Sequence, residues 1–214
     1  MSGAPGPGGA PEAWVAGCVV AQDALDVALV GLRDEQARAS STLPGWSVGH
    51  VLTHLARNGD SFVWRLEGAA RGQLRDQYPG GLAQRQSDIE AGAGRPAAEL
   101  VADVARSSAA VAEVMATLPA AAWDAQSRTS LGIVEPSRDA VLARWREVVV
   151  HHGDLGLAPV PMPADLVAEW LPRELPWLGT RTDPAALLAW IIGRAGPPEL
   201  APWHVPEAGA VRSP

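Results

Sequence analysis

Four of the five histidines in this 214-residue chain fall in two short apolar segments that lie far apart in the sequence. The first reads Gly49-His50-Val51-Leu52-Thr53-His54 and the second Arg146-Glu147-Val148-Val149-Val150-His151-His152. Each repeats a ligand-type side chain at i, i+4, which on an α-helix sets both groups on one face, one turn apart. Two such helices packed side by side could hold one metal ion between them. Bundle cores build metal sites in this way, from carboxylate and imidazole groups on facing helices.

Zinc accepts imidazole nitrogen and carboxylate oxygen, and a catalytic zinc keeps three protein ligands with the fourth position open for water or substrate. Glu147 and His151 would supply two ligands from one helix, and a histidine of the other segment would complete the set. His54 is preferred to His50. His50 falls in the first turn, near the helix entrance, whereas His54 sits a turn deeper among Val51, Leu55 and Asn58. Binding by both would close the shell and make the site structural. Asp154, just past the second segment, could hold the far nitrogen of a liganding imidazole or simply end its helix. The plainer alternative stays open, because Glu/His pairs at this spacing also arise in ordinary Ala-rich helices. HExxH, the stronger zinc signature, is absent.

The elements that must position these groups read as helices. From Pro11 to about Ala39, the positions Val15, Cys18, Val19, Gln22, Leu25, Leu29 and Leu32 follow one amphipathic stripe. Ser47 is a natural N-cap for a second helix through Leu66. Residues 68–96 are rich in Gly, Gln and Arg and predict a long loop, with one helical turn near Leu82 to Ala91. A third helix runs from Pro96 to Leu118. A connector follows in which Ser130 to Val134 is extended, and Ser137 then caps a fourth helix that stops at Gly153. Four amphipathic helices in residues 11–158 predict a mainly α fold built on a four-helix bundle. Pro159, Pro161 and Pro163 form a linker to two further helical stretches, Ala164 to Leu178 and Pro184 to Arg194, in a small region 159–214. Residues 1–10 are Gly, Pro, Ala and Ser without periodicity, and disorder is expected there.

Composition narrows the function classes. The chain is 47% apolar, yet no apolar run reaches the ~18 residues of a membrane span. The N-terminus has no basic n-region, so neither signal peptide nor anchor is predicted. The single cysteine, Cys18, lies in an apolar stripe as core filler and suits a reducing, cytoplasmic setting. A formal charge of −7, no lysine and scattered arginines argue against a nucleic-acid surface. Trp46 and Trp145 are expected to pack beside the ligands.

The stretch Leu43-Pro44-Gly45-Trp46-Ser47-Val48-Gly49-His50-Val51-Leu52-Thr53-His54-Leu55-Ala56-Arg57-Asn58 and the stretch from Arg144 to Gly156 resemble the mycothiol-dependent maleylpyruvate isomerase family. That family's N-terminal domain is a DinB-like four-helix bundle. Gln77-Tyr78-Pro79, Arg85 and Asp88-Ile89-Glu90 resemble its loop after helix two, so the likeness covers most of residues 12–157. The resemblance maps zinc ligands onto His54, Glu147 and His151. Tyr78, Arg85 and Asp154 are candidates for a substrate or thiol site, and the resemblance matches Leu187 to Arg194 to a C-terminal helix whose arginine is implicated in activity. The family's C-terminal domain has strands between its helices. Here Leu178 to Asp183 leaves no room for them, so a reduced, mostly helical extension is expected.

The activity implied is isomerisation of maleylpyruvate to fumarylpyruvate, a step of gentisate-type aromatic catabolism, with zinc and mycothiol as cofactors. Zinc turns a bound thiol into the reactive thiolate, which would add to the cis double bond, allow rotation and leave again. A dicarboxylate substrate calls for guanidinium partners, with Arg194 foremost and Arg85 behind it. Two other functions fit the same residues: a mycothiol-dependent S-transferase for detoxification, and a metal-binding module without catalysis.

Overall fold

A computed structural model describes residues 11–201, which form eight α-helices and one short hairpin. In chain order these are α1 (Glu12–Ala28), α2 (Asp34–Arg38), α3 (Val48–Ala70), α4 (Gly81–Ala93) and α5 (Ala97–Thr117). Then follow β1 (Gln126–Arg128), β2 (Val134–Pro136), α6 (Asp139–Asp154), α7 (Ala164–Glu174) and α8 (Pro184–Ile191). Residues 1–10, where disorder is expected, lie outside the described part. The chain divides into two compact units after Met162.

In the first unit α1, α3, α5 and α6 make the four-helix bundle that the apolar stripes predict. α3 is its centre, packed against α5, α6 and α4, while α1 lies on α6 and α5. Leu25, Val51, Leu52, Leu55, Leu66, Leu100, Val141 and Val148 are buried in the core, each contributing on the order of 1.5–3 kcal/mol. Ser47 caps α3 as expected, its hydroxyl accepting from the His50 backbone N–H at 3.3 Å.

Several boundaries differ from the sequence reading, each for a local reason. The first helix does not run to Ala39: Gly31 adopts φ +74° and the chain turns before the separate short helix α2. Leu29 and Ala37 are both buried, so the apolar stripe continues across the break and conceals it. Residues 68–96 are not chiefly loop, because α4 spans thirteen of them. It buries only Ile89 and Ala93, too few positions to give a visible period. α4 comes so close to α3 that a side chain at Gly49 would put its Cβ 2.1 Å from the Ala93 carbonyl oxygen.

The extended segment expected at Ser130 to Val134 is mostly the turn of a hairpin, with β1 and β2 antiparallel on either side and Ser127 opposite Glu135. Arg65 of α3 anchors this hairpin, donating to Ser127 Oγ at 2.7 Å and to Glu135 at 2.9 Å. Ser137 does not cap α6. Its hydroxyl donates to the Ala125 carbonyl at 2.9 Å, and the helix begins at Asp139 after Arg138, which pairs with Asp124. Nor does α6 stop at Gly153. It continues through Asp154, and the left-handed residue that ends the segment is Gly156.

The second unit is helical, as expected. α7 leads into a 3-10 turn from Leu175 to Thr180, and α8 stops at Ile191, so both α-helices are shorter than their apolar runs imply. Among the described residues no helix is long and apolar enough to cross a membrane.

Candidate metal centre

His54 reaches the site from the second turn of α3, and Glu147 and His151 reach it from successive turns of α6. The i, i+4 spacing puts both α6 groups on the face that packs against α3. Arg144, three residues before Glu147, ties the helices together: its buried guanidinium donates to the Leu55 carbonyl at 2.9 Å and to Asn58 Oδ1 at 2.8 Å. Among the described residues, His54, Glu147 and His151 form a group whose ligand atoms all lie within 4.8 Å of one another. Glu147 Oε2 is 2.9 Å from His54 Nε2 and 3.4 Å from His151 Nε2. The two rings meet edge to face with centroids 4.5 Å apart.

The other nitrogens are held as well. His151 Nδ1 donates to Asp154 Oδ2 at 2.8 Å, and Asp154 is in turn bound by the Thr42 hydroxyl through Oδ1 at 3.1 Å. His54 Nδ1 accepts from Arg85 Nη2 at 2.9 Å. Arg85 comes from α4 and also donates through Nε to the Tyr78 hydroxyl at 3.3 Å. Gln77 holds this corner, its amide donating to Tyr78 and Ser61 while its carbonyl accepts from the Ser130 backbone at 2.8 Å. Trp46 stands edge-on to His54 at 5.8 Å.

The electrostatics follow from burial and partners. Burial pushes the His54 imidazolium down, to about 4, against the opposing pull of Glu147, so the ring is neutral at pH 7. For His151 burial acts in the same direction, but the bonds from Asp154 and Glu147 outweigh it and raise the ring to about 9. Burial alone would raise the Glu147 carboxyl, yet its bonds from His151 and His54 hold it well below the usual carboxylate range. At pH 7 the centre therefore sets an anionic Glu147 between a neutral His54 and a protonated His151, which must give up its proton to ligate an ion.

This donor set suits a divalent ion such as zinc. Two nitrogens and a carboxylate oxygen are its ordinary ligands; the 3.4 Å separation is close to the edge of a tetrahedron built from bonds of about 2.1 Å, while the 2.9 Å contact is a hydrogen bond that would lengthen around an ion. Three protein ligands would leave a fourth position for another group. His151 has the outer partner expected of a liganding imidazole, a carboxylate on its far N–H.

His50 does not join the cluster. Its Nδ1 accepts from the Ser47 backbone N–H at 3.1 Å, closing a capping box, and its Nε2 faces Glu90 at 3.3 Å. His152 is half-buried and outside the group. Arg194 belongs to the second unit, exposed just beyond α8, where its backbone N–H donates to the Ala189 carbonyl at 2.7 Å. Sequence reasoning missed Thr42, Gln77 and Arg144 as supports. Only Arg144 left a signal, as a charge inside the apolar stripe of α6.

A helical bundle with a His/Glu/His group between facing helices is an arrangement that can hold a metal ion. Residues 19–156 match the family model described as the mycothiol maleylpyruvate isomerase N-terminal domain. The chain belongs to that family. The fold is similar to a crystal structure of a mycothiol-dependent maleylpyruvate isomerase, with a TM-score of 0.72 and 18% identity, covering 92% of this chain and 95% of that one. It is similar also to a crystal structure of a mutant form of such an isomerase, with a TM-score of 0.71 and 19% identity, covering 81% of this chain and 77% of that one. No curated protein matches.

Proposed function

We propose that this protein is a zinc- and thiol-dependent cis/trans isomerase that converts maleylpyruvate to fumarylpyruvate, with mycothiol as the thiol, in aromatic catabolism. The observation that carries this reading is the convergence of His54, Glu147 and His151, with Asp154 behind His151, inside the family's own bundle. These three residues would hold the ion, and Asp154 would keep the His151 ring turned so that Nε2 faces it.

Isomerising a cis double bond at neutral pH requires a nucleophile that makes it transiently single and then departs. The chain's one cysteine does not supply it. Cys18 is buried on α1, and burial pushes its thiol up to about 11 against the opposing charge of Arg144. An external small-molecule thiol fits that deficiency. When bound, zinc would supply the charge that makes such a thiol a thiolate. Arg85 is the side chain proposed to take a substrate carboxylate by paired hydrogen bonds, with Tyr78 to steady it, and Arg194 of the second unit is the other guanidinium proposed for activity.

The test is to incubate the protein, zinc and mycothiol with maleylpyruvate and, separately, with a generic electrophile. Formation of fumarylpyruvate without net loss of thiol supports the reading. Stoichiometric thiol consumption with no isomer formed would replace it with thiol transfer.

A further inference from the structure

The two histidines of the centre are set up in opposite ways. A neutral imidazole has one N–H and one lone pair, and the partner of one nitrogen decides the state of the other. His151 Nδ1 faces the Asp154 carboxylate, an acceptor, at 2.8 Å, and its Nε2 is turned toward Glu147. His54 Nδ1 faces the Arg85 guanidinium at 2.9 Å, and a guanidinium has no acceptor. The His54 lone pair is therefore engaged at Nδ1, and its N–H sits on Nε2, pointed at Glu147 Oε2 at 2.9 Å.

Coordination through Nε2 needs the reverse arrangement. The lone pair must then be on Nε2 and the N–H on Nδ1, where it would meet the donors of Arg85 head-on. We propose that Arg85 and the metal compete for His54: the guanidinium bond to Nδ1 and coordination through Nε2 exclude each other, so binding the ion releases Arg85 at the edge of the site, where it can take an anion. Arg85 is thus a positioning residue with two positions. Its second bond, to the Tyr78 hydroxyl, gives the released guanidinium a tether. Linkage then requires the reverse effect: a carboxylate that captures Arg85 removes the competitor for His54 and strengthens metal binding. This inference rests on the reading of His54, Glu147 and His151 as metal ligands.

Zinc affinity of the full-length protein, measured by competition with a chromophoric chelator, separates competition from bracing. Arg85→Met removes the competing donor and a positive charge together, and it is expected to bind zinc about tenfold more tightly than the wild type. Were Arg85 merely a brace for the His54 ring, the same variant would bind more weakly. Equal or weaker affinity overturns the competition and leaves the metal centre standing. No zinc binding by either protein overturns the metal centre and the competition with it. Imidazole nitrogen NMR of the wild type supplies a readout that does not depend on the variant's folding. His54 should carry its proton on Nε2 without zinc and on Nδ1 with it, and a proton already on Nδ1 before zinc is added would refute the proposal.

Discussion

α3 carries two charged clusters within two turns of one another, and they are built on opposite principles. At His54 the partners are one guanidinium, Arg85, and two groups that can offer a lone pair to an ion, Glu147 and a second imidazole. At Arg57 the centre is a single buried carboxylate, Asp103 of α5, enclosed by arginines. Arg57 reaches it at 2.8 Å, Arg95 at 2.7 Å and Arg106 at 2.5 Å. Guanidinium groups only donate, and Asp60 takes two of the same arginines, so the carboxylate lone pairs here are spent on cations of the same chain. Density of charge therefore does not distinguish a site from a strut. What distinguishes them is whether the side chains can present acceptors to something that is not protein.

The strongest way to break this comparison is His54→Ala. Removing one of three ligands is expected to lower zinc affinity about a hundredfold or more, with the melting temperature of the zinc-free protein changing far less than that loss implies. Metal analysis and calorimetry would show it, and a variant that keeps its full zinc content would remove His54 from the ligand set. The arginine cluster should respond in the opposite sense. Asp103→Asn is expected to cost about 2 kcal/mol of folding stability at pH 7 while leaving zinc affinity unchanged.

The pH dependence of that second effect has a definite sign. Burial would raise the Asp103 carboxyl, but bonds from Arg95 and Arg106 outweigh it and the net shift is downward. A carboxyl whose folded value lies below its unfolded value of about 3.9 stabilises the protein above that pH, and the contribution fades as the pH falls through the folded value. Denaturant unfolding should therefore show the gap between wild type and Asp103→Asn narrowing below about pH 4. A gap unchanged down to pH 2 would mean that the cluster owes its strength to packing rather than to charge.

Asp154→Asn is a milder probe of the metal end. It weakens the partner on His151 Nδ1 without removing a ligand, so zinc affinity should fall about tenfold. The smallest effect belongs to His50→Ala. Loss of its part in the capping box costs at most about 1 kcal/mol, and zinc content stays at the wild-type value because His50 faces Ser47 and Glu90. Loss of zinc in this variant would restore the closed, structural shell.

The sequence by itself determined the four bundle helices, the cap at Ser47 and the pairing of Glu147 with His151, because each rests on periodicity or on neighbours three or four residues apart. It also favoured His54 over His50, from depth along one helix. α4 was hidden, since a helix that buries two side chains leaves no stripe, and the break at Gly31 was hidden by a stripe that resumes beyond it.

The partners of the imidazoles divide along the same line. Asp154 follows His151 by three residues, and that bond was open to sequence reasoning. The bond from Thr42 to Asp154 spans 112 positions and that from Arg85 to His54 spans 31. No local rule connects such residues. Only the packing of α4 on α3, made possible where Gly49 lacks a Cβ, decided that a guanidinium should face His54.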